Sequence, residues 1–127
     1  MTRARVTAEI VGQKLGLPVA FDPELHETAY GEREGQPMTE WFTDWIAGRA
    51  TPAGAESFAD LRVRAAAAVN RALERPAPVL VVAHGGLFRA LRAEMGLEPN
   101  VRAKNGIPAL CEPPAEPDRP WTLDWAV

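Results

Sequence analysis

Alternating helical and extended segments place this 127-residue chain in the α/β class, with three αβα layers around a mostly parallel sheet. Two neighbouring observations carry that expectation. The first is Val79-Leu80-Val81-Val82-Ala83, an apolar run introduced by Pro76 and Pro78 that suits a strand covered on both faces. The second is its continuation: His84 at the strand's carboxyl end, Gly85-Gly86 at a turn, then Leu87 to Leu91 opening a helix. Glycines let backbone approach a ligand closely, and a new helix aims unpaired N–H groups and its positive dipole end there. Open α/β sheets place their ligand sites at such corners, and an anion, phosphate first, is the natural guest. The corner fits equally well a turn that His84 merely caps. A lipase-type oxyanion turn would require a Gly-x-Ser-x-Gly elbow, which the chain lacks; Gly54-Ala55-Glu56-Ser57 has the wrong spacing.

The remaining elements follow from periodicity and punctuation. Ala4, Thr7, Ala8, Val11 and Leu15 recur at helical spacing, and Gly16 supplies a stop. Leu17 to Phe21 reads as a short strand closed by Asp22-Pro23, and residues 23–37 as a polar loop. Trp41, Phe42, Trp45 and Ile46 share a face of a short helix that Thr39 can cap, ending near Gly48. Ser57 is the expected N-cap of the strongest helix, with Asp60 three residues on. That helix turns Phe58, Leu61, Ala65, Ala68, Val69, Ala72 and Leu73 inward. The last helix runs from about Gly86 to Met95 and stops at Gly96. A proline-rich tail over about 108–127 closes what reads as a single domain, with a short edge strand near Trp121-Thr122-Leu123-Asp124-Trp125. Two or three strands are too few for a sheet whose best strand expects neighbours on both sides.

Bulk properties narrow the partners. A hydrophobic fraction of 46% and a net charge of −3 fit a soluble globular domain and give no reason to expect nucleic acid or an anionic membrane. The aromatic stripe at 41–45, lacking basic surroundings, suits core or lid packing better than base stacking. No apolar run approaches the roughly 20 residues of a membrane span, and no secretory signal is visible. The single Cys111 excludes an internal disulfide, and His26 and His84 show no metal-ligand spacing, so no metal is expected. A cytoplasmic location is the expectation.

Four stretches in order resemble the histidine phosphatase superfamily, the phosphoglycerate-mutase-like proteins. Met1 to Glu9 (Met-Thr-Arg-Ala-Arg-Val-Thr-Ala-Glu) is similar to that family's Ser-x-Leu-x-Arg-Ala-x-x-Thr-Ala helix start, beginning at its Leu position. Leu25 to Gly35 resembles its Leu-x-Glu-x-x-x-Gly-x-x-Glu-Gly loop. Pro52-Ala53-Gly54-Ala55-Glu56-Ser57 is similar to its Pro-x-Gly-Glu-Ser loop with one residue changed, and Val82-Ala83-His84-Gly85-Gly86 to its Val-Ser-His-Gly-Gly. The resemblance covers the chain to about residue 97.

The resemblance implies a phosphoric monoester hydrolase or phosphomutase acting through a phosphohistidine, on a phosphorylated small molecule and without a cofactor. By it, Arg3 grips phosphate, Glu27 protonates the leaving group, and His84 stabilises the transferring phosphoryl group, with Gly85 adding a backbone N–H. Those residue types suit the chemistry, since phosphoryl transfer spreads negative charge that cations and N–H donors stabilise. An arginine fork matches two oxygens, and a carboxylic acid donates a proton only if burial or nearby negative charge raises its pKa. Without the resemblance, Arg3 reads as a solvated terminal residue, Glu27 as one carboxylate among Glu24, Glu32 and Glu34, and His26 as a surface residue.

The family's nucleophile is a histidine in an Arg-His-Gly motif after its first strand, and this chain contains no Arg-His-Gly. The expected fold is therefore incomplete for want of that strand, and the chain alone is expected to be inactive. A start assigned too far downstream, at Met1, would explain the boundary. An unpaired sheet edge beside residues 79–83 is expected to favour self-association. The alternative is a non-catalytic short protein that binds a phosphorylated ligand through Arg3 and His84 or completes its sheet with a partner.

Overall fold

The computed structural model describes residues 2–126; Met1, on which the downstream-start expectation rests, lies outside them. Helix α1 (Thr2–Leu15) ends where Gly16 takes a left-handed conformation (φ 68°). Two 3-10 turns, Pro23–Leu25 and Gly31–Arg33, punctuate the polar loop, followed by α2 (Glu40–Ile46), α3 (Phe58–Ala72) and α4 (Gly85–Glu94). The chain closes with β1 (Ala109–Glu112) and β2 (Thr122–Trp125).

Capping chemistry explains the helix starts unevenly. The Ser57 hydroxyl accepts from the Asp60 N–H at 3.1 Å, as the capping pattern predicts. Thr39 precedes α2 without a side-chain cap bond, and so does His84 before α4. His84 is thus the N-cap residue by position only, and its ring makes no hydrogen bond among the described residues.

The core is aromatic and lies where α2, α3 and α4 meet. Tyr30, Phe42, Trp45, Phe58, Leu61, Ala65, Leu87 and Ala90 form one buried cluster. Trp45 is fully buried, edge-on to Tyr30 (centroids 5.3 Å) and to Phe58 (5.1 Å). Such edge-to-face pairs let the positive ring edge meet the negative face. The Trp45 indole N–H donates to the Glu56 carbonyl at 2.8 Å, so the polar end of this ring is satisfied as well. The expected inward face of α3 holds for Phe58, Leu61, Ala65 and Ala68, whereas Leu73 is half-exposed because the helix ends at Ala72.

The sheet differs from expectation. Among the described residues the paired strands are β1 and β2, antiparallel, with Cys111 opposite Leu123 and Ala109 opposite Trp125. The ribbon lies near α4: Trp125 packs on Phe88 (5.6 Å), and the Trp121 N–H donates to the Met95 carbonyl. The predicted strand near 121–125 is real, and its partner 109–112 is the element that sequence reading missed. Residues 17–21 and 79–83, read as strands, form no ladder. A strand is defined by its neighbour, and neither segment has one; Leu80 is 56% exposed. The parallel three-layer sheet is accordingly not formed, and the fold is a mixed α and β arrangement with a small antiparallel sheet. Helix α1 pays the same consequence in exposure, since Thr7 and Leu15 of its expected inner face are open to solvent.

Truncating Trp45 removes both the ring contacts and a satisfied carbonyl. Trp45→Ala is expected to lower unfolding free energy by about 3–5 kcal/mol in urea titrations, enough to unfold a marginal domain. Leu73→Ala is expected to stay within about 0.5 kcal/mol.

Candidate functional site

The site is built at the amino end of α4, from three stretches far apart in sequence. Glu27 leaves the first 3-10 turn and points its carboxylate at the corner after His84. One oxygen accepts from the Gly86 N–H at 3.2 Å, and the other accepts from the Thr28 N–H at 2.9 Å. A β-carbon on Gly86 would lie 2.5 Å from that carboxylate and 3.0 Å from the Tyr30 hydroxyl, so any larger residue would have to displace the Glu27 side chain from its seat. Glu27 therefore occupies one of the free N–H groups that helix starts offer to anions.

What holds Glu27 in place is an arginine that sequence reading assigned no role. Arg64, on α3, forks onto the Glu56 carboxylate, Nε to one oxygen at 2.9 Å and Nη2 to the other at 2.8 Å. Its Nη1 donates to the backbone carbonyls of Glu24 (2.6 Å) and His26 (2.9 Å). The Thr28 hydroxyl donates to Glu56 at 2.9 Å, and Thr28 is buried. One guanidinium thus ties residues 24–28 to the start of α3. The fork holds the Glu56 carboxyl below the ordinary carboxylate range and raises the Arg64 pKa in return. Glu56 stood in a quoted motif and could have been suspected; Arg64 left no signal beyond a polar position on a helix.

The ionisable groups around the turn affect one another. Burial lowers the His84 pKa from its ordinary value; the Glu27 carboxylate opposes that, and the Arg3 and His26 charges reinforce it. Arg3 is exposed on the first turn of α1. Its influence on His84 is electrostatic, and it forms no side-chain hydrogen bond with Glu27 or His84. Gly85 opens α4, directly between His84 and Gly86. His26 sits on the far side of the Glu27 peptide, its Nδ1 2.8 Å from the Glu27 carbonyl oxygen. Tyr30 is buried against the same corner, and burial first, then the Glu27 charge, push its phenol well above the usual range. A carboxylate, a half-buried imidazole and a helix start therefore share one turn, with arginine charge in range. That is equipment for holding a tetrahedral anion and exchanging a proton with it.

Residues 1–110 match the histidine phosphatase superfamily (branch 1). The chain belongs to that superfamily. It is 33% identical over 107 residues to an uncharacterised phosphatase, PhoE, of Bacillus subtilis (strain 168), covering 81% of this chain and 54% of that protein. It is 31% identical over 115 residues to a glucosyl-3-phosphoglycerate phosphatase of Mycolicibacterium vanbaalenii, covering 75% of this chain and 50% of that protein. The chain thus spans about half the length of these curated relatives. No solved structure matches it. Among the described residues no cluster of histidine, cysteine or acidic side chains could hold a metal ion, and no helix is long and apolar enough to cross a membrane.

Two measurements test this arrangement. Arg64→Met leaves Glu56 without its fork and frees residues 24–28, so stability is expected to fall by about 1.5–3 kcal/mol and proteolysis to begin in that loop. For His84 the folded pKa lies below the unfolded value of 6.5, so the unfolded chain binds more protons between the two. Stability is therefore expected to be intact above pH 6.5 and to decline as pH falls through that window. His84→Gln is expected to flatten the decline in urea titrations at pH 7.5, 6.5 and 5.5.

Proposed function

We propose that this chain carries the phosphate-binding and proton-donating part of a phosphoric monoester phosphatase or phosphomutase. The observation that carries the reading is the Glu27 carboxylate seated on the Gly86 N–H, two residues beyond His84. This contact supports a reading in which Glu27, which must first carry a proton to act as the acid, and the His84 imidazole serve the same helix start. In the proposed reaction a histidine nitrogen attacks phosphorus, the P–O bond to the leaving group breaks, and Glu27 supplies the leaving oxygen with its proton. His84, Arg3 and the Gly85 N–H hold the phosphoryl oxygens as charge spreads over them. Water or a second hydroxyl then takes the phosphoryl group from the histidine, which separates hydrolase from mutase.

The attacking histidine is not assigned to either histidine of this sequence, which has two in all and no Arg-His-Gly. Alone, the 127 residues are accordingly proposed to bind phosphate esters without turning them over. Phosphorylated small molecules are the proposed ligands, in keeping with a relative named for glucosyl-3-phosphoglycerate. The unpaired backbone of residues 79–83, with Leu80 exposed, favours association with a second chain at that edge.

Titrating inorganic phosphate into the 127-residue chain is expected to shift the His84 ring resonances and raise its pKa, with no such binding in His84→Ala. Hydrolysis of p-nitrophenyl phosphate is expected to match that of His84→Ala. Turnover well above that level, abolished by His84→Ala, would instead make His84 the nucleophile.

A further inference from the structure

The carboxylate of Glu27 is gripped by its own backbone. One of its oxygens accepts from the Thr28 N–H at 2.9 Å, and the other accepts from the Gly86 N–H. The Thr28 N–H belongs to the peptide that joins Glu27 to Thr28. A peptide is planar and its C=O points opposite to its N–H, so whatever holds the Glu27 carbonyl also aims the Thr28 N–H. Arg64 does not do this, since its donors go to the carbonyls of Glu24 and His26. The Glu27 carbonyl accepts instead from the His26 ring, with Nδ1 2.8 Å from the oxygen. A carbonyl can only accept, so Nδ1 carries the proton.

His26 also reaches the site through its charge. The ring is exposed and exchanges protons with solvent in the range where histidines titrate. Its imidazolium form favours the Glu56 carboxylate and opposes protonation of His84. The other charges acting on His84 are Glu27 on the same loop, Arg3 on α1 and the terminal amine. On the side of His26 itself stand Glu56 and Arg64, the latter bonded to its carbonyl.

We propose that His26 is a positioning residue for Glu27, its ring N–H orienting the Glu27–Thr28 peptide so that the carboxylate stays seated on the Gly86 N–H. The same ring adjusts the turn with pH. Its protonated form makes the stronger, charge-assisted bond to the carbonyl, while its charge makes His84 harder to protonate. The proposal rests on Glu27 and His84 serving one phosphate position. To that reading it adds a residue which touches neither the phosphate nor the leaving group.

Two variants of the intact 127-residue chain separate the donor from the charge. His26→Asn keeps an N–H near the position of Nδ1 and has no charge; His26→Leu loses both. In amide NMR spectra at pH 7.5, without phosphate, the Gly86 N–H resonance of His26→Leu is expected to move toward its position in Glu27→Ala. That of His26→Asn is expected to stay near wild type. The chain has two histidines, so the His84 ring is readily followed, and it is expected to titrate about 0.3 pH unit higher in both variants. Inorganic phosphate at pH 7.5 is expected to bind His26→Leu about threefold more weakly than wild type, and His26→Asn as wild type. A Gly86 resonance unmoved in His26→Leu, or moved equally in both variants, overturns the positioning role. An unchanged His84 titration in His26→Asn overturns the pH adjustment. Failure of the phosphate reading looks different: phosphate would leave His84 and Gly86 unmoved in wild type while the contrast between the two variants at Gly86 persisted.

Discussion

The forked contact of Arg64 with Glu56 is the constraint on which the site depends. Glu27 belongs to no regular element, and a 3-10 turn of three residues cannot by itself fix a carboxylate. Arg64 gives residues 24–28 the rigidity of α3 by accepting none of the loop's disorder: two carbonyls and one carboxylate converge on a planar group. Because α3 packs on α4, the same pair of helices positions Glu27 on one side and His84 on the other. Partial burial makes the ion pair costly in desolvation, so its net stabilisation is modest and its main yield is a single loop geometry. That a charged group is used here fits a loop whose carbonyls need donors.

Two glycines complete this docking. Gly31 is held at φ 56°, and a β-carbon there would lie 2.1 Å from the Ala53 carbonyl oxygen. The Glu32 N–H donates to that same carbonyl at 2.9 Å, and Tyr30 pairs with Ala55 in an isolated bridge. The loop that carries Glu27 is thereby fastened at its far end to the loop that carries Glu56. Gly86 performs the corresponding service at the helix start. Backbone proximity at Gly31 leaves room for nothing larger than hydrogen, whereas the close neighbours of Gly86 are the Glu27, Thr28 and Tyr30 side chains.

Local chemistry was legible in the sequence where the forces are local. Gly16 ending α1, Ser57 capping α3 and the 41–46 aromatic face follow from contacts within a few residues, and the structure repeats them. The turn at His84-Gly85-Gly86 was legible too, because a strand-like run meeting two glycines leaves few alternatives. Residues 17–21 and 79–83 mark the limit. Their composition says that they would pair if neighbours were present, and composition cannot supply a neighbour. Strand Ala109–Glu112 escaped notice for the opposite reason: four residues between prolines carry almost no periodic signal, and pairing with Thr122–Trp125 creates the strand. Within the site, Glu27 and His84 stood out through motif spacing, whereas Arg64 matters through a contact 38 residues upstream, which no local window contains.

The seat of Glu27 also decides how an anion can enter. A helix start is attractive to phosphate only while its N–H groups are free, and here one of them already serves a carboxylate. An arriving phosphate meets that negative charge at close range, so its binding requires positive charge from elsewhere. In the proposed reading Arg3 supplies some of it from the surface, and His84 supplies more only by taking a proton. Burial holds the free imidazole toward its neutral form, and a phosphate dianion beside it reverses that preference. In the proposed reading, anion binding and protonation of His84 are therefore one linked event. The net charge of −3 is no obstacle, because the field that matters is made by groups within one Debye length of the turn.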